Sequence, residues 1–278
     1  MDITLLIQSI ILGIIQGVTE WLPISSKAMM SVIMVSFYGF SLTEAVYYAI
    51  WLHIGSLCAV LAFYRSDIAK ILRNLPTYAR DVRRPTGYNR LTTFLIVATL
   101  FTAFVGAPLL VFGLTKLQLT GSYAIAFIGA LLIGTGLLQL HARQRIGKRN
   151  RSLSLTDAAI TGVLQGVAIL PGFSRSGLTV SALLLRRYSA QDALNLSFLM
   201  YIPAVIGAEI GLQVIKSGSY FTPYALIAIV VSFFVAILTI STLLRVAERI
   251  NFGYFCIFIG CLALVPLFIT LSGILPGV

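Results

Sequence analysis

Two short polar stretches interrupt an otherwise apolar sequence. The first, QGVTEWLPISSK (Gln16 to Lys27), carries an amide, a carboxylate, two adjacent hydroxyls and an ammonium. The second, PGFSRSG (Pro171 to Gly177), sets Arg175 between Ser174 and Ser176, with Thr179 two residues further on. Backbone N–H groups at a helix start near 178, two hydroxyls and a guanidinium fork make an oxyanion cradle, suited above all to phosphate. Gln16 and Glu20 are spaced i, i+4 and share one helix face. A carboxylate beside an amide oxygen, opposite such a cradle, suits Mg²⁺ or Ca²⁺. Glu20 is equally suited to serve as general base for an attacking water or serine, with Ser25 and Ser26 as nucleophiles or phosphate contacts. Structural roles stand beside these: Glu20 and Arg175 as a buried ion pair, and Ser25 or Ser26 as helix caps. Gln16 has a counterpart, Gln165, that has Ile169 and no acid four residues on.

The elements that must position these groups are membrane spans. The chain of 278 residues is 58% hydrophobic and 10% charged, against about 25% charged in a soluble domain. Apolar runs at 94–112, 123–140, 193–215 and 224–244 approach the ~20 residues a crossing helix needs. This predicts an all-α polytopic membrane protein with about six transmembrane helices in a single membrane domain. The opening Met1-Asp2-Ile3-Thr4 has no basic leader and reads as part of the mature fold. Cys58, Cys256 and Cys261 lie scattered in apolar spans, and His53 and His141 are too far apart for a zinc site. His53 and Glu209 are further titratable groups within spans, His53 as a structural histidine or a site member. The net charge of +11 resides mainly in segments 65–90 and 143–151. That pattern marks cytoplasmic loops facing anionic head groups rather than a nucleic-acid surface.

The sequence also repeats. GIIQGV (Gly13 to Val18) recurs as GVLQGV (Gly162 to Val167), offset by 149, and SLTEA (Ser41 to Ala45) recurs as SAQDA (Ser189 to Ala193), offset by 148. Both copies pass from the first match through Leu-Pro to serines. The expectation is a duplication, repeat one 1–145 and repeat two 146–278. Arg186 and Arg187 follow too soon after PGFSRSG for a crossing, so 156–187 reads as a re-entrant hairpin, and 3–40 as its partner from the opposite face. Traced through helices 44–64, 91–113, 121–141, 193–215, 222–244 and 253–272, the two halves are inverted. Of the 20 Lys/Arg, Lys116 and Lys216 then lie outside, Lys27 and Arg175 lie in the two hairpin tips, and the others are cytoplasmic. Inverted repeats with broken helices bring their tips together near the bilayer midplane.

At QGVTE (Gln16 to Glu20), WLPISS (Trp21 to Ser26), LHIGSLCAV (Leu52 to Val60) and PGFSRSG, the chain resembles the undecaprenyl-diphosphatase family, the bacitracin-resistance type of integral membrane phosphatase. The resemblance runs over essentially the whole length. It implies hydrolysis of a C55-type or related polyprenyl diphosphate to the monophosphate, recycling a lipid sugar carrier in a prokaryotic plasma membrane. It also implies a divalent cation and two opposed re-entrant hairpins. On the matched residues, Glu20 with Gln16 would hold metal or activate the nucleophile. Ser174, Arg175, Ser176 and Thr179, with Ser25 and Lys27, would hold the diphosphate, and Ser26 would be the side-chain nucleophile. The family pattern continues Ser-Ser-x-Gly-His, whereas this chain has SSKAM, with Ala28 and Met29 in the last two places. A thioether cannot shuttle a proton, so either that histidine is dispensable, or Lys27 or His53 compensates, or this member has lost hydrolysis. The alternative is a polyprenyl-phosphate transporter or non-hydrolytic homologue. A homo-oligomer is compatible with either.

Overall fold

A computed structural model of the chain describes residues 2–81, 87–113, 119–147, 152–215 and 222–272. Lys116, Lys216, Arg83, Arg84, Lys148, Arg149 and Arg151, which enter the charge tracing, lie outside the described residues. The described residues form helices joined by short turns and contain no strand. In order these are α1 (Ile3–Thr19), α2 (Ser26–Phe37), α3 (Leu42–Phe63), α4 (Arg65–Asp81), α5 (Tyr88–Pro108, closed by a π-helical turn Leu109–Gly113), α6 (Gly121–Arg143), α7 (Leu155–Val167), α8 (Arg175–Leu185), α9 (Ala190–Ile215), α10 (Pro223–Arg249) and α11 (Gly253–Leu271). Among them α3, α5, α6, α9, α10 and α11 are long and apolar enough to cross a bilayer. The chain is a multi-pass membrane protein.

Local chemistry sets the helix starts. Ser41 and Glu44 form a reciprocal capping box at α3, and Ser189 accepts from the Asp192 N–H at the corresponding place before α9. Ser154 caps α7, and Ser174 caps α8 by accepting from the Gly177 N–H. That cap starts α8 at Arg175, earlier than the expected 178, so the guanidinium leaves from the first helical residue. The segment expected as a basic loop begins instead with α4. Its exposed Leu72 and Leu75 lie three residues apart among Arg65, Lys70, Arg73 and Arg80, the spacing of an amphipathic helix.

Packing is reciprocal between the two halves. α1 lies on α10, where a Cβ on Gly13 would meet the Ala228 carbonyl at 2.6 Å and one on Gly17 would meet Val235 Cβ at 2.8 Å. α7 lies on α5 through Gly162 against Ala98 and Phe101, and Gly166 against Val105 Cβ at 2.8 Å. Both pairs run parallel, as the rising residue numbers on each side require. By contrast α3 and α9 run antiparallel, since Tyr64 meets Asn195 while Ser56 meets Tyr201. α6 and α11 also run antiparallel, Gly129 packing on Gly260 and Gly136 on Gly253. The two short-helix pairs, α1–α2 and α7–α8, meet at their tips. Ser25 Oγ donates to the Phe173 carbonyl (3.4 Å) and Ser176 Oγ to the Leu22 carbonyl (3.3 Å). At its far end the second pair is pinned by buried Asp157, which takes Arg186 and the Tyr188 hydroxyl.

Candidate active site

Glu20 ends α1 and is 5% exposed, so an ionised carboxylate there needs partners. It has four. Arg175 Nη2 donates to Oε1 at 2.7 Å, while Oε2 accepts from Ser26 Oγ at 2.6 Å and Gln16 Nε2 at 3.1 Å, and lies 3.2 Å from His53 Nε2. These groups come from α1, α2, α3 and α8. His53 Nδ1 lies 2.5 Å from the Ala49 carbonyl, which can only accept, so that nitrogen carries a proton and Nε2 is the one turned to Glu20. The contact at Glu20 is attractive when a proton sits between Nε2 and Oε2. Behind Glu20, Gln16 Nε2 also donates to Ser56 Oγ at 3.0 Å, and Ser56 lies 2.8 Å from the Tyr201 hydroxyl.

Arg175 is held from the other side. Nη1 donates to the Ser197 carbonyl and hydroxyl (3.3 and 3.4 Å), and the guanidinium carbon stands 4.2 Å above the Tyr201 ring centre and 5.1 Å from that of Phe198. Lys27 is buried, and its Nζ donates to the carbonyls of Ala168 and Ile169, which follow α7. A cation at a helix C-terminus is favoured by the helix dipole. Lys27 thus ties the first tip to the second. Ser25 has φ 67°, a left-handed conformation that costs a non-glycine residue ~1–2 kcal/mol, and its Oγ accepts from the Ala28 N–H.

A cavity of ≈ 220 Å³ opens onto this cluster. Glu20, Ser25, Ser26, Lys27, Ser174, Arg175 and Ser176 line its polar end, joined by His53 and Tyr201. Most of the rest is apolar wall from the later turns of α5 and α9, including Ala103, Gly106, Ala204 and Gly207, with Thr99, Thr102 and Gln165 among the polar exceptions. Two expected site residues stand back from it. Gln16 is behind Glu20, and Thr179 donates to the Arg175 carbonyl at 2.9 Å and pairs with Ser197 Oγ at 2.6 Å. Met29 also faces away, packing on the apolar cluster of Ile24, Leu132 and Cys256. The imidazole at the carboxylate comes from α3 instead. Tyr201 and Ser197 went unforeseen, being single polar residues in an apolar run without a motif, and Ser56, although inside LHIGSLCAV, was given no role of its own. Glu209 lies outside the cavity wall, and both its carboxylate oxygens are buried without a hydrogen-bond partner.

Arg175 and Lys27 face one carboxylate, so the polar end favours an anion. Among the described residues no three His, Cys, Asp or Glu converge to form a metal cage. The available donors are oxygens, Glu20 and the buried Oε1 of Gln16, which has no hydrogen-bond partner. Glu20 would hold a hard divalent cation, and Gln16 Oε1 would join it once the amide turns from the arrangement in which Nε2 faces Glu20.

Residues 9–265 match the family model described as bacitracin resistance protein BacA. The chain belongs to the BacA family. Among relatives named undecaprenyl-diphosphatase, one from Methanococcoides burtonii is 42% identical over 94% of this chain and 98% of its own length. One from Haloarcula marismortui is 37% identical over 92% of this chain and 95% of its own. One from Saccharolobus solfataricus is 35% identical over 97% of this chain and 96% of its own. Within this BacA-family chain the PGFSRSG stretch supplies Arg175 and the α8 cap, and QGVTE supplies the carboxylate opposite.

Proposed function

We propose that the protein is an integral-membrane phosphatase that converts a polyprenyl diphosphate of the undecaprenyl type to the monophosphate, returning a lipid carrier for reuse. The observation that carries this is the join of a passage and a cradle. An apolar cavity wall between α5 and α9 leads to Glu20 and Arg175, ringed by Ser25, Ser26, Lys27, Ser174 and Ser176. An isoprenoid tail suits the first and a diphosphate suits the second. The names of the relatives agree with this substrate.

Ser26 Oγ lies 2.6 Å from Glu20 Oε2, the arrangement of a nucleophile on its base. Attack of Ser26 Oγ on the terminal phosphorus forms an O–P bond and passes the hydroxyl proton to Glu20. The bond from that phosphorus to the bridging oxygen breaks, and the bridging oxygen leaves with the polyprenyl monophosphate. Water then cleaves the phosphoserine to inorganic phosphate. A water deprotonated by Glu20 would give the same products without a phosphoserine. Arg175 would trade Glu20 for phosphate oxygens and stabilise their charge, with Lys27, Ser25, Ser174 and Ser176 as further donors. Thr179 would act through the placement of Arg175. His53, hydrogen-bonded to Glu20, supplies the imidazole that Met29 does not. A divalent cation, Mg²⁺ or Ca²⁺, on Glu20 and Gln16 would neutralise diphosphate charge.

The parallel and antiparallel packing supports an inverted duplication, 1–145 and 146–278, in one membrane unit. The cavity is walled by the later turns of α5 and α9, away from the basic ends at Arg65, Arg90, Arg143, Arg186 and Arg245. With basic loops 65–90 and 143–151 in the cytoplasm, the site of a plasma-membrane protein would open outward. A homo-oligomer is compatible with this reading. Phosphate release by purified protein from a long-chain polyprenyl diphosphate with Mg²⁺ or Ca²⁺ tests the reading. Release no greater than that of a Glu20→Gln, Arg175→Ala double variant would sink it. Vectorial movement of polyprenyl phosphate in sealed vesicles without phosphate release would favour a transporter.

A further inference from the structure

We infer that Tyr201 is a positioning residue that keeps Arg175 aimed at the diphosphate, and through its hydroxyl steadies the carboxylate opposite. This rests on the phosphatase reading of the site. Arg175 Nη2 donates to Glu20 Oε1 at 2.7 Å. To serve a phosphate, the guanidinium must change partner without losing its place. A carboxylate is a poor guide for that exchange, because it competes with the incoming anion for the same N–H groups. An aromatic face does not compete. Tyr201 presents its ring 4.2 Å below the guanidinium carbon, leaving the edge N–H groups free to exchange. Phe198, one turn earlier on α9, adds a second ring at 5.1 Å, itself backed by fully buried Trp21 at 5.5 Å. The platform is therefore rigid.

The hydroxyl serves the other tip. Tyr201 OH lies 2.8 Å from Ser56 Oγ and donates to the His53 carbonyl at 3.4 Å. Ser56 accepts from Gln16 Nε2, which also donates to Glu20. Thus one buried side chain on α9 touches the guanidinium of the second tip and, by two hydrogen bonds, the carboxylate support of the first. Its own role requires no contact with the reacting atoms.

The two parts separate by substitution. Tyr201→Phe keeps the ring and loses the hydroxyl; Tyr201→Leu loses both. Full-length purified protein is assayed for phosphate release from a long-chain polyprenyl diphosphate, and separately titrated calorimetrically with inorganic diphosphate as the probe. Tyr201→Phe should bind the probe and show KM within about 3-fold of wild type, with kcat lowered about 3- to 10-fold, the range of one hydrogen bond. Tyr201→Leu should bind the probe about 10- to 30-fold more weakly, the range of a desolvated cation–π contact, with KM raised to match. Tyr201→Met replaces the leucine variant where that one does not fold. Equal probe affinity of the phenylalanine and leucine (or methionine) variants would overturn the inference. The expected binding pattern in a protein that releases no phosphate would uphold it and refute the phosphatase reading instead.

Discussion

Replacing Glu20 by glutamine tests the site most directly, because Gln is nearly isosteric and removes only charge and one acceptor. Glu20 takes Arg175, Ser26, Gln16 and His53 in a buried position. Taking one partner from a buried ion pair costs about 3–5 kcal/mol, since the other charge is left uncompensated. Arg175 is 11% exposed, so solvent screening relieves little of this. Gln keeps one carbonyl oxygen but turns an NH₂ toward groups that are themselves donors, so a loss of about 3 kcal/mol is expected. Loss of the general base lowers kcat about 10²- to 10⁴-fold. The two effects part company in the double variant Glu20→Gln, Arg175→Gln. Removing both charges should recover most of the stability, with a coupling of at least about 2 kcal/mol, and none of the activity. Unfolding in detergent and initial rates of phosphate release on the same preparations measure both. A folded Glu20→Gln enzyme with kcat within 5-fold of wild type would refute the base assignment and leave Glu20 as a strut for Arg175.

Other expectations follow from single contacts. Ser26→Ala should lower kcat by at least about 10²-fold with KM within about 3-fold, and phosphoserine should be trapped in wild type by rapid acid quench; near-wild-type kcat would point to direct attack by water. At Ser25, with φ 67°, the alanine variant should lose about 1 kcal/mol of stability with its cap, whereas glycine should be neutral or stabilising, as thermal midpoints would show. Gly17→Ala and Gly166→Ala should each cost about 1–3 kcal/mol, because the new Cβ meets Val235 or Val105 at 2.8 Å; unequal losses would argue against equivalent packing in the two halves.

Much of this architecture was readable because membranes restrict the choices. Four long apolar runs pointed to about six crossing helices, and six of the described helices are long and apolar enough to cross. The duplicated runs at Gly13 and Gly162, read as a repeat, hold the two glycine seams that fit α1 to α10 and α7 to α5. Basic residues predicted the antiparallel sense of α3 and α9, which the contacts bear out. Glu20 and Arg175 stood out as charges in apolar surroundings, and the structure brings them into contact. α4 was obscured because its charges drew the eye from the apolar spacing of Ile68, Leu72 and Leu75. Lys27's partners could not be read at all, since they are main-chain carbonyls. Tyr201 and Ser56 acquire their roles only when α9 and α3 come face to face. Met29 shows the opposite limit: its place in a motif suggested a site position, but helix rotation turns it into an apolar cluster.

The reciprocal glycine seams have a consequence for biogenesis. Among the described helices α1 leaves the ribosome well before its seam partner, α10. Until α10 arrives, Gly13 and Gly17 expose a groove with nothing in it, and Glu20 waits for a guanidinium not yet translated. α7 has no such delay, since α5 already stands in place. The second half thus docks onto a prepared surface, whereas the first is completed late by contacts of large sequence separation, which close slowly. The nascent first hairpin is therefore the stretch most in need of an insertase or chaperone, and a chain truncated before α10 should be recognised by membrane quality control.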